Sequence, residues 1–212
     1  MVTNAAVWTA VHQERAALAR DLATLTADQW RAPTACAGWD VHDVVAHLVD
    51  TAKTTRRSFL RDMVVARFDF DRQNAAGVTR ERRDDPRDTL AELRSVVERT
   101  STPPAPLGTR LVEAFVHGED IRRAVGLRGD YPIAQVTQAL HLQLRTTVKM
   151  GGGKERANGL QLIASDAPVD SGAGPQVRGT ALALLLAVSG RPLSPGEITG
   201  SGAPELCARA AS

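Results

Sequence analysis

A carboxylate and an imidazole stand one helical turn apart in the stretch LVEAFVHGEDIRRAVG, residues 111–126. Glu113 and His117 are four positions apart, so in a helix both side chains lie on one face. That face also carries Val116 and Ala124, and a helix of a bundle buries one of its faces. A buried carboxylate without a partner is costly, whereas a carboxylate and a histidine side by side can share a metal ion. The pair therefore predicts a metal site inside a helical bundle.

A metal ion needs a third ligand, for which His47 is the best candidate. The chain has five histidines. His47 lies next to the apolar stripe of an earlier predicted helix, whereas His42 falls in the first turn of that helix. His12 and His141 have no acidic partner at helical spacing. We therefore expect His47 to complete the site from a facing helix, since bundle cores often build metal sites in this way.

Other interpretations of these residues remain open. A glutamate four positions before a histidine occurs by chance in any helical protein, and the pair can be purely structural. Asp120 can form a salt bridge with Arg122 or Arg123, or it can support a ligand by hydrogen bonding. Cys36 and Cys207 are most simply small apolar residues.

The composition excludes several classes of protein. The 212 residues are 43% hydrophobic and 24% charged, with a net charge of +2. This composition is typical of a globular protein, and the near-neutral charge gives no reason to expect binding to nucleic acid or to an anionic membrane. No apolar run is long enough for a transmembrane helix, and the N-terminus does not resemble a signal peptide. Two cysteines form no disulfide framework, so we expect a cytoplasmic protein.

Four amphipathic helices are predicted in the first part of the chain, and together they indicate a four-helix bundle. Asp40 is expected to cap the second helix, with Asp43 in its first turn. The charged segment 67–85 is predicted to be an irregular connection, either a solvated loop or a lid. The helices are expected at residues 4–25, at residues 40–66, from Pro86 onward after the cap Asp85, and at residues 108–125.

The sequence pattern changes near residues 127–132. We therefore place a domain boundary between residues 1–127 and residues 128–212. The second part combines helical and strand patterns and predicts a small α+β domain. Its elements are expected to be a helix from Pro132, a strand at 160–166, a helix at 179–190, a strand in GEITGSG (196–202) and a helix at 203–210. The predicted fold class is thus mainly α, a four-helix bundle followed by a small α+β domain.

Two motifs together resemble one known family. TACAGWDVHDVVAHLVD (34–50) and RLVEAFVHGEDIRRAVG (110–126) are similar to the T-x-C-x-G-W, V-x-D-V-x-A-H-L and E-x-x-x-H-G-x-D-I-R-R patterns of the mycothiol-dependent maleylpyruvate isomerase family of the DinB-like superfamily. The segments GPQVRGTALALLLAVSGRP (174–192) and TGSGAPELCARA (199–210) resemble its C-terminal module. The likeness covers nearly the whole chain in the same order.

The resemblance implies a DinB-like four-helix bundle that binds a divalent metal, usually zinc, through two histidines and a third ligand. Carried over by position, the ligands are His47, Glu113 and His117. The chain departs from the family at Asp40 and the two residues after it, where a threonine or serine cap is commoner. That departure affects the helix cap and leaves the ligands intact.

Three protein ligands leave an open metal position, which can hold water or a thiolate. The resemblance favours mycothiol, or a similar small thiol, reacting with a small electrophilic substrate by isomerisation or S-transfer. The arginine-rich, lysine-poor composition agrees with an actinobacterial source. The alternatives are a metal-dependent hydrolase and a non-catalytic binding module. Arg122, Arg178 and Arg191 are candidate contacts for a substrate anion, and the protein is expected to be a monomer or a homodimer.

Overall fold

The computed structural model describes residues 3–211, which form two compact units. The first unit is Thr3–Asp130, and the second begins at Tyr131. The described part of the chain is mainly helical, and its one four-stranded sheet lies in the second unit. The predicted fold class, mainly helical with a small α+β C-terminal part, is confirmed. No helix within residues 3–211 is both long enough and apolar enough to cross a bilayer.

The first unit is helical, and four of its helices pack around a shared apolar core. Helices α1 and α3 each contact both α6 and α7. The core is formed by aliphatic side chains from these helices, among them Leu18, Leu22, Val44, Val45, Val49, Leu90, Leu93 and Ile121. The helices are α1 (Asn4–Leu22), α2 (Ala27–Trp30), α3 (Val41–Lys53), α4 (Arg56–Val65), α5 (Phe70–Glu81), α6 (Pro86–Ser95) and α7 (Thr109–Ala124).

Helix α3 is the central element of this unit, and its start is fixed by local sequence. The Asp40 side chain accepts a hydrogen bond from the backbone N–H of Asp43, and the Asp43 side chain accepts one from the backbone N–H of Asp40. This reciprocal capping box satisfies two N–H groups that the helix leaves unpaired. Arg82 donates to both carboxylates. The predicted cap is therefore confirmed, and it fixes where α3 begins.

The structure corrects two predictions in the segment between α3 and α6. The expected helix 40–66 is divided, because Thr55 and Ser58 form a new capping box that begins α4. The segment 67–85, predicted to be an irregular loop, contains α5. Its N-terminus is capped by Asp69, and it packs against α3. The residues that α5 buries are mostly polar or small, so the sequence has no apolar stripe from which this helix could be predicted.

The second unit combines a mixed sheet with packed helices. Strand β1 is central, antiparallel to β2 and parallel to β3, and β3 pairs antiparallel with β4. Helix α10 packs against α8 and the sheet. The predicted strand at 160–166 and the helices at 179–190 and 203–210 are found, whereas β2 and β3 were not predicted. The elements are α8 (Ile133–Arg145), a 3-10 helix (Val148–Met150), α9 (Lys154–Ala157), β1 (Gln161–Ala164), β2 (Asp170–Gly172), β3 (Gln176–Gly179), α10 (Ala181–Val188), β4 (Ile198–Thr199) and α11 (Ala203–Ala210).

Candidate metal centre

The structure brings the three predicted ligand residues together between α3 and α7. Oε2 of Glu113 lies 3.2 Å from Nε2 of His47 and 3.8 Å from Nε2 of His117. The two imidazole rings meet edge to face, with centroids 4.9 Å apart. One potential ligand atom from each residue lies within 4.8 Å of the others. The three side chains therefore converge on one small volume, with two nitrogens and one oxygen around it.

The carboxylate oxygen of this group is left unsatisfied. Oε2 of Glu113 is buried and has no hydrogen-bond partner among the described residues, although 28% of the whole side chain is exposed. Nδ1 of His47, the ring nitrogen other than the one beside Glu113, is also buried without a hydrogen-bond partner within residues 3–211. Buried polar atoms are nearly always hydrogen-bonded in native structures, so each exception requires an explanation. A buried carboxylate oxygen that lies beside two imidazole nitrogens and has no hydrogen-bond partner is suited to bind a cation.

The electrostatic surroundings favour an ionised Glu113. Burial raises the pKa of its carboxyl group, but His47, His117 and Arg110 together outweigh that effect, so the pKa lies well below its usual value. A carboxylate that keeps its charge while partly buried is suited to bind a metal ion, because metal ligands must be deprotonated.

A neighbouring side chain contacts each of the two histidines, His47 and His117. The His47 ring packs against the indole of Trp39, with centroids 5.1 Å apart. Nδ1 of His117 lies 3.0 Å from Oδ2 of Asp120, one turn further along α7. The side chain of Asp120 is only 1% exposed. Of the roles considered for Asp120, the structure thus supports hydrogen bonding to a predicted ligand.

Cys36 contributes to this region in a way that was not predicted from sequence. Its thiol donates to Oδ2 of Asp120 at 3.1 Å, and its Sγ lies 3.6 Å from Nδ1 of His117. Cys36, His117 and Asp120 therefore form a second group that could hold a metal ion. Cys36 precedes α3 by a few residues, and only its place in the T-x-C-x-G-W pattern marked it in the sequence.

Arg122, one of the three candidate substrate contacts, has a different environment from the one expected. Its side chain is 2% exposed and donates to Glu14 at 2.6 Å and to Asp21 at 2.8 Å, both on α1. Burial raises the pKa of Glu14 to about 7 in spite of the opposing effect of Arg122. A buried ion pair between α1 and α7 favours a structural role for Arg122 over contact with a substrate.

The other two candidate arginines belong to the second unit. Arg178, in β3, donates to the side chain of Gln176. Arg191, which follows α10, donates to the backbone carbonyl of Ser189. Their role as contacts for a substrate anion stays a prediction.

Arg110 is a further charged residue near the candidate ligands, and sequence reasoning missed it. It precedes Glu113 by one turn of α7, is 6% exposed, and lines a cavity together with Arg15 and Glu113. Within the described residues its Nε has no hydrogen-bond partner, and burial lowers its pKa. No signal in the sequence separates it from a surface arginine, because it shares its helical face with the polar residues Glu113 and His117.

Comparison with known proteins shows which proteins this chain is similar to in sequence and in fold. Residues 11–105 match the sequence profile described as the mycothiol maleylpyruvate isomerase N-terminal domain. Most of the first unit is therefore similar in sequence to the N-terminal domain of that family. The family resemblance drawn from the sequence motifs is thereby confirmed. The matched segment contains α3 with His47 and ends before α7, so it does not include Glu113 or His117.

Solved structures extend the likeness to the fold of the whole chain. A crystal structure of the mycothiol-dependent maleylpyruvate isomerase has 18% identity, covers 94% of this chain and 93% of its own, and superposes with a TM-score of 0.59. The crystal structure of a histidine-to-alanine mutant of that isomerase has 16% identity, the same coverage and a TM-score of 0.65. At such identities the likeness establishes the fold. A search of curated protein sequences found no significant match.

Proposed function

We propose that this protein is a metal-dependent enzyme that uses mycothiol, or a similar small thiol, either to isomerise a small electrophilic substrate or to join the whole thiol to it through sulfur (S-transfer). The metal ion, which we propose to be zinc, would be held by His47, Glu113 and His117. The observation that carries the proposal is Oε2 of Glu113, which is buried beside two imidazole nitrogens and has no hydrogen-bond partner in the described part of the chain. The choice of mycothiol as the thiol is supported by the similarity of residues 11–105 to the mycothiol maleylpyruvate isomerase N-terminal domain.

The residues present fit a divalent ion. Two imidazole nitrogens and one carboxylate oxygen are a ligand set that catalytic zinc sites use, and such a set leaves one position open. Bound there, the metal would supply a Lewis acid that favours the thiolate form of a thiol ligand.

The chain's own residues would orient and admit the ligand. Trp39 packs on the ring of His47 and restricts its rotation, whereas Asp120 accepts from the ring of His117. Glu113 brings a negative charge that offsets part of the metal charge. Side-chain exposure is 4% for His47, 28% for Glu113 and 14% for His117. A small ligand would therefore approach from the α7 side of the site.

Calorimetric titration of zinc-loaded protein with mycothiol tests the proposal. Zinc content should be one ion per chain, and mycothiol should bind with release of a proton, counted by repeating the titration in two buffers of different ionisation enthalpy. The matched control is the same titration of a His117→Ala variant, which should bind neither zinc nor thiol. Zinc binding without any thiol binding would overturn the thiol mechanism and leave the hydrolase or the binding module.

A further inference from the structure

The two ring nitrogens of His117 face two different carboxylates. Nε2 faces Glu113 at 3.8 Å, and Nδ1 faces Asp120 at 3.0 Å. A carboxylate that accepts a hydrogen bond at 3.0 Å places the proton on Nδ1, and a neutral imidazole then keeps its lone pair on Nε2. The contact with Asp120 therefore selects the tautomer whose free lone pair is directed at Glu113.

The position of Asp120 is fixed in turn from outside its own helix. The thiol of Cys36 donates to the same Oδ2 atom that faces His117. Cys36 lies in the segment that precedes α3, where Pro33 and Asp40 form an isolated antiparallel bridge. Thr34 adds a side-chain hydrogen bond to the carbonyl of Trp39. The segment before α3, which is stabilised by its own hydrogen bonds, thus positions the carboxylate of Asp120 through Cys36. Asp120 in turn positions the ring of His117.

We propose that Asp120 is a positioning residue that fixes the tautomer and ring direction of His117 for a metal ion at the three-residue site, and that Cys36 holds Asp120 in place. This inference rests on the proposed function, because it requires the metal to lie on the Nε2 side of His117. The alternative group of Cys36, His117 and Asp120 would require the metal on the Nδ1 side. The thiol hydrogen bond from Cys36 to Asp120 and the unpartnered Oε2 of Glu113 both favour the Nε2 side.

The first measurement uses metal-free protein, so that it does not depend on activity. In protein labelled with 15N-histidine, the ring nitrogens of His117 should show the Nδ1–H tautomer by long-range 1H–15N correlation, with the assignment taken from a His117→Gln variant. The Asp120→Asn variant should show a mixture of tautomers or the Nε2–H form. An unchanged Nδ1–H tautomer in folded Asp120→Asn would overturn the inference.

The second measurement is zinc affinity by competition with a chromophoric chelator. Replacing a group that orients a ligand typically costs about 10–100-fold in metal affinity, and we expect a loss in that range for Asp120→Asn. Glu119→Gln is the matched control, because Glu119 is a buried neighbour on α7 that accepts from Arg123. The control variant should bind zinc like the parent protein.

Cys36→Ala provides a second route if Asp120→Asn does not fold. It removes one weak hydrogen bond and leaves the carboxylate, so zinc affinity should fall by less than about tenfold. Cobalt substitution then separates the two metal positions. A sulfur-to-cobalt charge-transfer band in the parent that disappears in Cys36→Ala would place the metal at Cys36 and overturn the inference.

Failure of this inference can be distinguished from failure of the proposed function. A parent protein that binds no zinc overturns the proposed function, and this inference with it. A parent that binds zinc through His47 and Glu113, together with an Asp120→Asn variant that binds zinc equally well, overturns the positioning role alone.

Discussion

Oε2 of Glu113 on α7 lies 3.2 Å from Nε2 of His47 on α3, yet no group within residues 3–211 meets hydrogen-bond geometry to this oxygen. In a site built only for stability, a proton between the two atoms would satisfy both. Leaving a buried carboxylate oxygen unsatisfied costs free energy, of the order of 1–3 kcal/mol or more. A bound cation would recover that free energy, and the predictions about metal binding follow from this relationship.

Removal of the histidine on α3 should abolish the site. In the His47→Ala variant, bound zinc is expected to fall from one ion per chain toward none, because the two remaining α7 residues cannot enclose the ion. Metal analysis by mass spectrometry after gel filtration measures the change. His141→Ala is the control, since His141 is exposed on α8 in the second unit. A full complement of zinc in His47→Ala would contradict the assigned ligands.

Chelation should lower the thermal stability of the first unit. At free zinc of about 100 times its dissociation constant, binding stabilises the folded state by about 3 kcal/mol. For a chain of this size that corresponds to a melting temperature about 5–10 °C higher than that of the metal-free protein. Scanning calorimetry with and without chelator measures the difference. The His47→Ala variant should show no such shift, and an unshifted parent whose metal loss has been verified would argue against a buried site.

His42 should make the first unit sensitive to acid. Its side chain is 3% exposed, and its Nε2 lies 2.7 Å from the hydroxyl of Thr89. Burial, with a further contribution from Arg82, lowers the pKa of His42 to about 4 from the usual 6.5. The unfolded chain therefore takes up the proton first as the pH falls. The contribution of His42 is present above about pH 6.5 and is lost as the pH falls toward about 4, by up to about 3 kcal/mol.

Denaturant unfolding followed by circular dichroism at several pH values tests this dependence. A His42→Gln variant cannot take up the proton, so its free energy of unfolding should change less than that of the parent over this range. His141→Gln, with an exposed histidine replaced, should follow the parent. Equal pH slopes for His42→Gln and the parent would refute the assignment to His42.

Arg122 should matter for stability and leave metal binding intact. Arg122→Met removes the cation from a buried ion pair and leaves Glu14 without its partner, which is expected to lower the free energy of unfolding by about 3–5 kcal/mol. The double variant Glu14→Gln/Arg122→Met should recover part of that loss. Unfolding measurements combined with zinc analysis test both points. A stable Arg122→Met protein with weakened thiol or substrate binding would restore Arg122 as a ligand contact.

The main features of the fold could be predicted from sequence because they depend on local signals. Asp40 and Asp85 cap α3 and α6, and Gly126 adopts a positive φ of 76° just beyond α7, as expected from their positions. Helix α5 could not be predicted in the same way. It packs through Gly77, whose lack of a side chain leaves room for the carboxylate of Asp50. Because α5 packs against α3 through a glycine that faces a carboxylate, its sequence has no periodic apolar stripe.

The convergence of His47, Glu113 and His117 could be predicted from residue spacing and family resemblance, but the groups around them could not. Cys36 lies in a loop, and nothing in its local sequence shows that this loop passes beside Asp120. Arg110 looks like a surface arginine until the helix is placed in the unit. Both depend on contacts between distant segments, which sequence periodicity does not encode.

The aromatic contacts have a practical consequence for spectroscopy. Each of the three tryptophans in the chain stacks on or touches a histidine: Trp8 with His12, Trp30 with His42, and Trp39 with His47. All six residues belong to the first unit. Indole fluorescence is quenched by a neighbouring imidazolium and altered by a nearby metal ion. The unlabelled protein thus contains separate optical reporters for proton uptake at α3 and for occupation of the candidate metal centre, and single Trp→Phe replacements would separate their signals.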